Sequence, residues 1–442
     1  MKRILLLLTA LSVAVTLSAR GFDEDFDGAT LRVDYVFSGN ATAQAVHFVE
    51  ALRGGEWAGR RSNLPAPLLR GNGCIEMLAP EDGTVLYAQS FSTLFQEWQA
   101  TEEAERVDRG FENCFQLPFP KHPVTLRVRL YDKHGAVSCE LSHPFDPADI
   151  LVRPVQDPGY LRYDIHRGGD VASCVDIAIL AEGYTAAEMG QFIADAQRYG
   201  EALLSHEPFA SMQDRFNIVA VGAVSAESGV SIPHDGKWAR TVAGSHFDTF
   251  YTDRYLTSSR QRAIYDALGG VPFEHIILLV NTPVYGGGGI YNSITLCSAG
   301  HPYSPVVFVH EFGHEFAGLG DEYYYDDQWS TMYPADTEPW EPNITTLVDF
   351  GSKWADLLAP GTPIPTPPDD IEKKDVRRIW GELSPEVQAR LNTKLGVYEG
   401  GGYQSKGVYR PVQECRMKIN ECRDFCPVCT RAIIRMVDYS TR

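Results

Sequence analysis

The string His310-Glu311-Phe312-Gly313-His314 constrains this chain most, because it sets two imidazoles and a carboxylate close together. Residues four apart on a helix share one face, so the two histidines can hold a single metal ion through their ring nitrogens. Glu311 lies one position further round, where a carboxylate can orient a metal-bound water and take its proton. The string therefore predicts a helix that carries a hydrolytic zinc site.

A glycine turn with further acids follows this string. The segment Ala317-Gly318-Leu319-Gly320-Asp321-Glu322 supplies two glycines that can end the helix and reverse the chain. In the pattern H-E-x-x-H-x-x-G-x-x-H, the residue three positions after the glycine is the third ligand. Gly318 comes one residue later than in that pattern, and Asp321 stands three positions beyond it. We predict Asp321 as the third ligand, with Glu322 as the alternative.

Residues 1–19 have the pattern of a secretory signal peptide. Lys2 and Arg3 give a positive start, an apolar run extends from Ile4 to Leu17, and Ala19 can precede the cleavage site. No later stretch approaches the roughly 18 to 20 apolar residues of a membrane span. The 58 acidic against 39 basic residues give a net charge of −19, which would repel nucleic acid. We expect an exported protein, periplasmic or secreted, without a nucleic-acid partner.

The hydrophobic pattern after the signal predicts a first domain of strands. Apolar residues alternate with others from Thr30 to Phe37 and again from Val124 to Leu130, which is typical of half-buried strands. Short runs broken by glycine and proline lie between these segments. We predict an N-terminal all-β sandwich over residues 20–145, followed by a proline-rich connector over residues 146–160.

The pattern changes beyond the connector and predicts an α/β (α+β) domain over residues 161–442. The apolar run Cys174 to Leu180 predicts a buried strand, and His275 to Val280 predicts another. Thr185-Ala186-Ala187-Glu188 has the form of a capping box and opens a helix that extends to about Leu204. The polar segment Thr249 to Ala267 is also predicted to be helical.

A run of glycines precedes the histidine helix. Because Gly287 and Gly288 have no side chains to block approach, an edge strand here could pair its backbone with an extended peptide. We predict these two glycines as substrate contacts. The alternative is a mobile loop that merely leaves the cleft open.

Four of the nine cysteines are crowded near the end of the chain: Cys415, Cys422, Cys426 and Cys429. The segment Cys426-Pro427-Val428-Cys429 has the form of a redox C-x-x-C, but it does not follow the first strand of a βαβ unit. We expect one or two local disulfides here, and a structural zinc site is the alternative.

Four segments of the chain together resemble the IgA-peptidase family of secreted bacterial zinc metallopeptidases. They are residues 310–323 (HEFGHEFAGLGDEY), residues 341–343 (EPN), residues 400–411 (GGGYQSKGVYRP), and Cys415-Arg416-Met417 ahead of residues 425–429 (FCPVC). The resemblance extends over the mature chain. It implies a metzincin-like catalytic domain behind a β-sandwich, with one zinc ion held by His310, His314 and Asp321, and Glu311 as the general base.

The resemblance also implies a methionine in a tight turn below the metal. Met417 fits that place, because a segment that could form the closing helix, residues 430–439, follows it. Met332 is the alternative. Tyr409 and Arg410 are candidates for substrate or oxyanion contacts on the resemblance alone.

These features predict a secreted zinc endopeptidase that hydrolyses extracellular proteins by attack of zinc-activated water. One alternative is a surface-binding or adhesion protein with a vestigial metal site, and another is an amidase that acts on cell-wall peptides. The presence of Glu311 argues against the vestigial site, because the base is easily lost when catalysis lapses. Substrate choice lies in loops and cleft walls, so the family name does not decide it.

Overall fold

The structure, a computed structural model, describes residues 21–325, 332–369, 371 and 376–441. The predicted signal peptide lies outside the described residues. The α-helices include α1 (Phe22–Asp25), α2 (Leu94–Trp98), α3 (Met189–Leu204), α4 (Gln261–Ala267), α5 (Ser304–Ala317), α6 (Val376–Ile379), α7 (Pro385–Thr393) and α8 (Pro427–Thr441). Within this described part, no helix combines the length and apolar character needed to cross a membrane.

Seventeen strands form four sheets in the described residues. They are β1 (Phe26–Gly39), β2 (Gln44–Glu56), β3 (Gly73–Leu78), β4 (Val85–Phe91), β5 (Arg109–Pro120), β6 (Val124–Tyr131), β7 (Val137–Phe145), β8 (Arg153–Pro154), β9 (Leu161–Arg167), β10 (Val175–Glu182), β11 (Phe216–Gly222), β12 (His275–Val280), β13 (Gly287–Ile290), β14 (Ile294–Ser298), β15 (Tyr324–Tyr325), β16 (Tyr398–Gly401) and β17 (Tyr403–Arg410).

The first eight strands form two four-stranded sheets, in the orders β5-β1-β2-β8 and β4-β3-β6-β7. In β6 every second residue, from Val124 to Leu130, is buried, which agrees with the predicted period-two pattern. Leu31, Val33 and Tyr35 of β1 belong to the same hydrophobic cluster as these residues. Both predicted strands are therefore present and contribute to one core, and β6 is half-buried as predicted. In β1 the prediction of a half-buried strand is wrong, because residues 30–35 are all buried.

A six-stranded sheet, in the order β13-β14-β12-β10-β11-β9, organises the second half of the chain. Its four inner strands are parallel, and β13 and β9 are antiparallel edge strands. Every residue of β10 is buried: Ile177 and Ile179 pack with residues of α3, α5 and α8, whereas Ala178 and Leu180 belong to the cluster shared with the first sheets. Burial on both faces explains why this strand is a continuous apolar run.

The predicted capping box is present at the entrance to α3. The Thr185 backbone N–H and hydroxyl both donate to Glu188 Oε2, at 2.8 and 2.7 Å. Ser228 and Asn281 donate to the other carboxylate oxygen, at 2.7 and 3.1 Å. The carboxylate therefore closes the first turn and joins it to two neighbouring loops.

The predicted helix over Thr249 to Ala267 is wrong in its first half, since the helical part covers only α4, Gln261–Ala267. Asp248, Phe250 and Tyr251 have positive φ angles, which no helix accommodates. The turns that they form are followed by Leu256, whose N–H donates to the Gly287 carbonyl oxygen at the edge of β13.

The expected local disulfides are not formed, because all nine cysteines carry free thiols. Cys415 Sγ and Cys429 Sγ are 3.9 Å apart. That distance is nearly twice the about 2.0 Å of a disulfide bond.

Replacement of Glu188 by Gln tests the capping box through its pH dependence. Although burial raises the pKa of Glu188, the hydrogen bonds from Thr185, Ser228 and Asn281 lower it from 4.5 to about 2. The stabilisation is therefore complete above pH 4.5 and is lost as the pH falls toward about 2. We expect Glu188→Gln to lower the free energy of unfolding by about 1 to 2 kcal/mol at pH 7, measured by urea denaturation.

The difference between wild type and Glu188→Gln should shrink as the pH is lowered through that window. Glu201→Gln, at an exposed position of the same helix, is the matched control and should cost little at any pH. A Glu188→Gln penalty that stays constant from pH 7 to pH 2 would contradict the account.

Candidate metal centre

Helix α5 brings the two predicted histidine ligands together. His310 Nε2 and His314 Nε2 are 3.0 Å apart. The Nδ1 atom of His310 lies 3.0 Å from the Arg416 carbonyl oxygen, and that of His314 contacts the Leu319 carbonyl oxygen. Because a carbonyl can only accept, each Nδ1 carries the proton and each Nε2 presents a lone pair.

A glycine turn carries Asp321 back to these nitrogens. Gly318 ends α5 with φ +60°, and a Cβ at this position would lie 2.6 Å from the Trp340 ring. Glycine is therefore required here for both conformation and space. The turn places Asp321 Oδ1 at 3.1 Å from His310 Nε2 and 3.2 Å from His314 Nε2.

These three atoms form a buried set of acceptors that lacks a donor. Asp321 Oδ1 is buried and has no hydrogen-bond donor among the described residues. Although burial raises the pKa of Asp321, the neighbouring histidines lower it well below its usual range. Burial lowers the pKa of His314, but Asp321 outweighs this effect and raises it to about 9, so in the absence of a metal a proton would bind Nε2 in its place. Each shift reflects the same demand for positive charge between the three side chains, which a metal cation meets.

Glu311 lies on the same helix and contacts the glycine-rich strand β13. Burial raises the pKa of its carboxyl group, with the two histidines opposing and Asp321 adding to the rise. A Cβ on Gly287 would lie 3.0 Å from Glu311 Oε1, and one on Gly289 would lie 2.1 Å from the Glu311 carbonyl oxygen. The glycines thus let the edge strand pack directly against α5 and leave room for the Glu311 carboxylate.

The outer edge of β13 is partly covered. The Leu256 N–H donates to the Gly287 carbonyl oxygen at 3.4 Å. A Cβ on Gly288 would lie 2.9 Å from the Leu256 carbonyl oxygen and from the Tyr255 ring. Gly287 therefore faces Glu311, whereas Gly288 faces the segment before α4.

Tyr403 is a residue of the centre that the sequence did not identify. Its hydroxyl donates to Asp321 Oδ2, and the Gly402 N–H donates to the Asp321 carbonyl oxygen at 2.7 Å. The Tyr403 N–H also donates to the Tyr323 carbonyl oxygen at 3.0 Å. Tyr403 lies in the segment GGGYQSKGVYRP, where its place directly after three glycines was the only available signal.

Tyr409 and Arg410 lie at the end of β17 and contact neighbouring segments. The Tyr409 backbone pairs with Thr345. Arg410 is fully buried and donates to the carbonyl oxygens of Glu399 and Gly400, at 2.8 and 2.7 Å. Arg410 thus fixes the turn that leads into Tyr403.

Met417 is fully buried beneath α5, and Met332 is 40% exposed. A Cβ on Gly313, between the two histidines, would lie 3.1 Å from Met417 Sδ. The Glu322 N–H donates to the Met417 carbonyl oxygen at 2.8 Å. The Glu322 carboxylate points away from the histidines, since Oε1 accepts hydrogen bonds from Asn343 Nδ2 and the Cys429 thiol at 3.0 and 3.2 Å.

The first domain reaches the same centre through α2. Tyr255 donates its hydroxyl hydrogen to Glu97 Oε2 of that helix. Burial raises the pKa of Glu97 to about 7, and its charge interacts with those of His314 and Glu311. Sequence reasoning could not find this contact, because nothing local links the two halves of the chain.

Comparison with known families covers nearly the whole described chain. The family model described as "IgA Peptidase M64" matches residues 163–437, and the one described as "Peptidase M64 N-terminus" matches residues 21–142. No curated protein matches the sequence.

Replacement of Tyr403 by Phe removes one hydroxyl from Asp321 and keeps the ring. Groups that hydrogen-bond to metal ligands typically contribute about 10- to 100-fold in metal affinity. We expect Tyr403→Phe to bind zinc at this centre at least about tenfold more weakly, as measured by competition with a chelator. Tyr439→Phe is the control, because that hydroxyl donates to the Ala66 carbonyl oxygen instead. Equal zinc affinity in the two variants would argue against a role for Tyr403.

Proposed function

Because the chain belongs to the IgA peptidase M64 family, we propose that it is an exported, zinc-dependent endopeptidase that cleaves extracellular proteins. The family makes the chain a metallopeptidase, a hydrolase with a metal cofactor and a protein or peptide substrate. Zinc as the metal, export and the extracellular substrate are the parts that we add. The single observation that carries the proposal is the meeting of His310, His314 and Asp321 around one point.

His310, His314 and Asp321 are the zinc ligands in this proposal. Two neutral imidazoles and a carboxylate are a donor set that zinc prefers in hydrolytic sites, where a further position stays open. The donorless Asp321 Oδ1 supports this assignment over Glu322, whose carboxylate contacts Asn343 and Cys429. Zinc held there would act as a Lewis acid toward a peptide carbonyl and would lower the pKa of a bound water.

Glu311 is the general base. Its half-buried carboxylate extends from the same helix as both histidines, next to the space left by Gly287. From there it takes a proton from the attacking water and delivers it to the leaving amine. No side chain of the protein needs to bond covalently to the substrate.

We assign the methionine of the metzincin-like turn to Met417. Its buried sulfur lies under the ligand helix, and α8 follows it as a closing helix. The adjacent Arg416 carbonyl oxygen orients His310, so the turn also positions a ligand. Helix, glycine turn, third ligand and methionine turn then follow one another as in a metzincin-like domain.

The first domain is a β-sandwich in this proposal. Two four-stranded sheets, formed mainly by antiparallel pairs, with residues in a shared hydrophobic cluster support it. We set its bounds at residues 20–145, with a connector over residues 146–160 and the catalytic domain over residues 161–442. Residues 1–19 are the signal that directs export.

Substrate contacts are proposed at the rim of β13 and near β17. Gly287 borders the Glu311 side of the centre, and Gly288 follows it on the same edge strand, β13. Tyr409 is half-buried on β17, and Arg410 would act through the turn that it fixes. The family name does not transfer a particular substrate, because loops and cleft walls decide specificity.

Replacement of Glu311 by Gln tests the function directly. Loss of a general base typically costs about 10²- to 10⁴-fold in rate, so we expect cleavage of a mixed protein substrate to fall by that factor. Zinc content should stay unchanged, because Glu311 is not a ligand. His310→Ala should lose activity and the zinc of this centre, and Glu201→Gln should match wild type.

Full activity in Glu311→Gln would contradict the mechanism. Zinc without cleavage of any protein by the wild type would favour the binding-protein alternative. Cleavage of short cell-wall peptides alone would favour the amidase.

A further inference from the structure

A second cluster of metal-ligating side chains lies beside the centre, formed by Glu322, Cys415, Cys426 and Cys429. All four residues are buried, and their ligand atoms lie within 4.8 Å of one another. Three different segments contribute: the loop after Asp321, the turn before Met417, and the start of α8. Glu322 is thus far in sequence from the three cysteines and meets them only in the fold.

Two of the sulfurs are spaced as on one metal ion, and none of the three cysteines is in a disulfide. Cys415 Sγ and Cys429 Sγ are 3.9 Å apart. Two sulfurs on one tetrahedral zinc ion, each about 2.3 Å from it, are separated by about 3.8 Å. The Cys426 N–H donates to Cys415 Sγ at 3.3 Å, and the Cys429 N–H donates to Cys426 Sγ at 3.5 Å. Such amide donors stabilise thiolates, the form that binds metal.

The Glu322 carboxylate supports a bound cation independently of the sulfur spacing. The residue is 0% exposed, and among the described residues Oε2 has no hydrogen-bond partner. Its other oxygen accepts from the Cys429 thiol and from Asn343. A buried carboxylate with an unsatisfied oxygen is costly, and a cation within the cluster removes that cost.

The surrounding charges also balance a bound ion. Three thiolates and one carboxylate with a divalent cation carry two net negative charges. Two fully buried guanidinium groups interact electrostatically with the cluster, Arg410 with Glu322 and Arg416 with Cys415. Buried charges are tolerated when they are paired in this way.

Redox chemistry fits the cluster less well. The three cysteines are each 0% exposed, so another thiol or disulfide has no access to their sulfurs. Cys422, the fourth cysteine of this region, contacts Asn392 and the Asp424 carbonyl oxygen instead.

We propose that Glu322, Cys415, Cys426 and Cys429 hold a structural zinc ion, separate from the catalytic one. Four protein ligands without an open position are typical of structural zinc sites. The ion would tie the start of α8 to the residue after Asp321 and to the turn that carries Met417. It would thereby hold Asp321, the third catalytic ligand, and Met417 in place.

Metal content and zinc X-ray absorption of the full chain, purified from zinc-supplemented cells, test the proposal. We expect two zinc ions per chain and an absorption spectrum that contains zinc–sulfur distances of about 2.3 Å. The variant His310→Ala/His314→Ala, which removes two ligands of the catalytic centre, should keep one zinc with a mainly sulfur shell. This result would not depend on whether the chain is a peptidase.

The cysteine variants give a second readout. Cys426→Ser should retain one zinc per chain and unfold at a lower temperature, whereas Cys422→Ser should retain two. One zinc per chain with only nitrogen and oxygen neighbours would overturn the proposal, and so would a Cys426–Cys429 disulfide in the intact mass. Both of these contradicting outcomes are measured on wild-type protein. The proposal therefore stays testable even if a cysteine variant fails to fold.

Discussion

The arrangement of the catalytic half depends on one electrostatic constraint: three buried acceptors converge on a point without a donor. Asp321 Oδ1 lies 3.1 and 3.2 Å from two imidazole nitrogens whose lone pairs face it. Such a set repels itself unless a cation lies between its members. Backbone carbonyls from Leu319 and Arg416 hold the rings in this orientation. The glycine turn at Gly318 and the Tyr403 hydroxyl position the Asp321 carboxylate. Segments distant in sequence therefore all contribute to the geometry of this centre.

The two consecutive acidic residues in the loop after α5 point to different clusters. Asp321 turns toward the histidines, and Glu322 turns toward three cysteines. The Met417 carbonyl oxygen accepts the Glu322 N–H, so the same loop is bonded to the turn beneath the histidine helix. Such support is what the proposed catalytic ligand set requires, because small displacements of the ligands are costly to catalysis. The histidine–aspartate centre and the cysteine cluster are therefore joined through Asp321-Glu322 and the turn that carries Met417.

The sequence predicted those features that local chemistry determines. The apolar run of β10, the capping box at Thr185 and the helical spacing of the histidines all depend on neighbours within a few residues. Contacts between distant segments were not predictable in this way. Tyr403 reaches Asp321 across 82 positions, and the three cysteines meet Glu322 only through the fold. The glycines of β13 were predicted to leave an edge strand open to substrate. Their lack of side chains also lets β13 pack closely against α5.

The most direct test of the account is an anomalous-difference map at the zinc edge from crystals of the full chain. We predict a strong peak between His310 Nε2, His314 Nε2 and Asp321 Oδ1. A map without a peak at that point would contradict the central claim. A peak there that is liganded by Glu322 in place of Asp321 would contradict it as well.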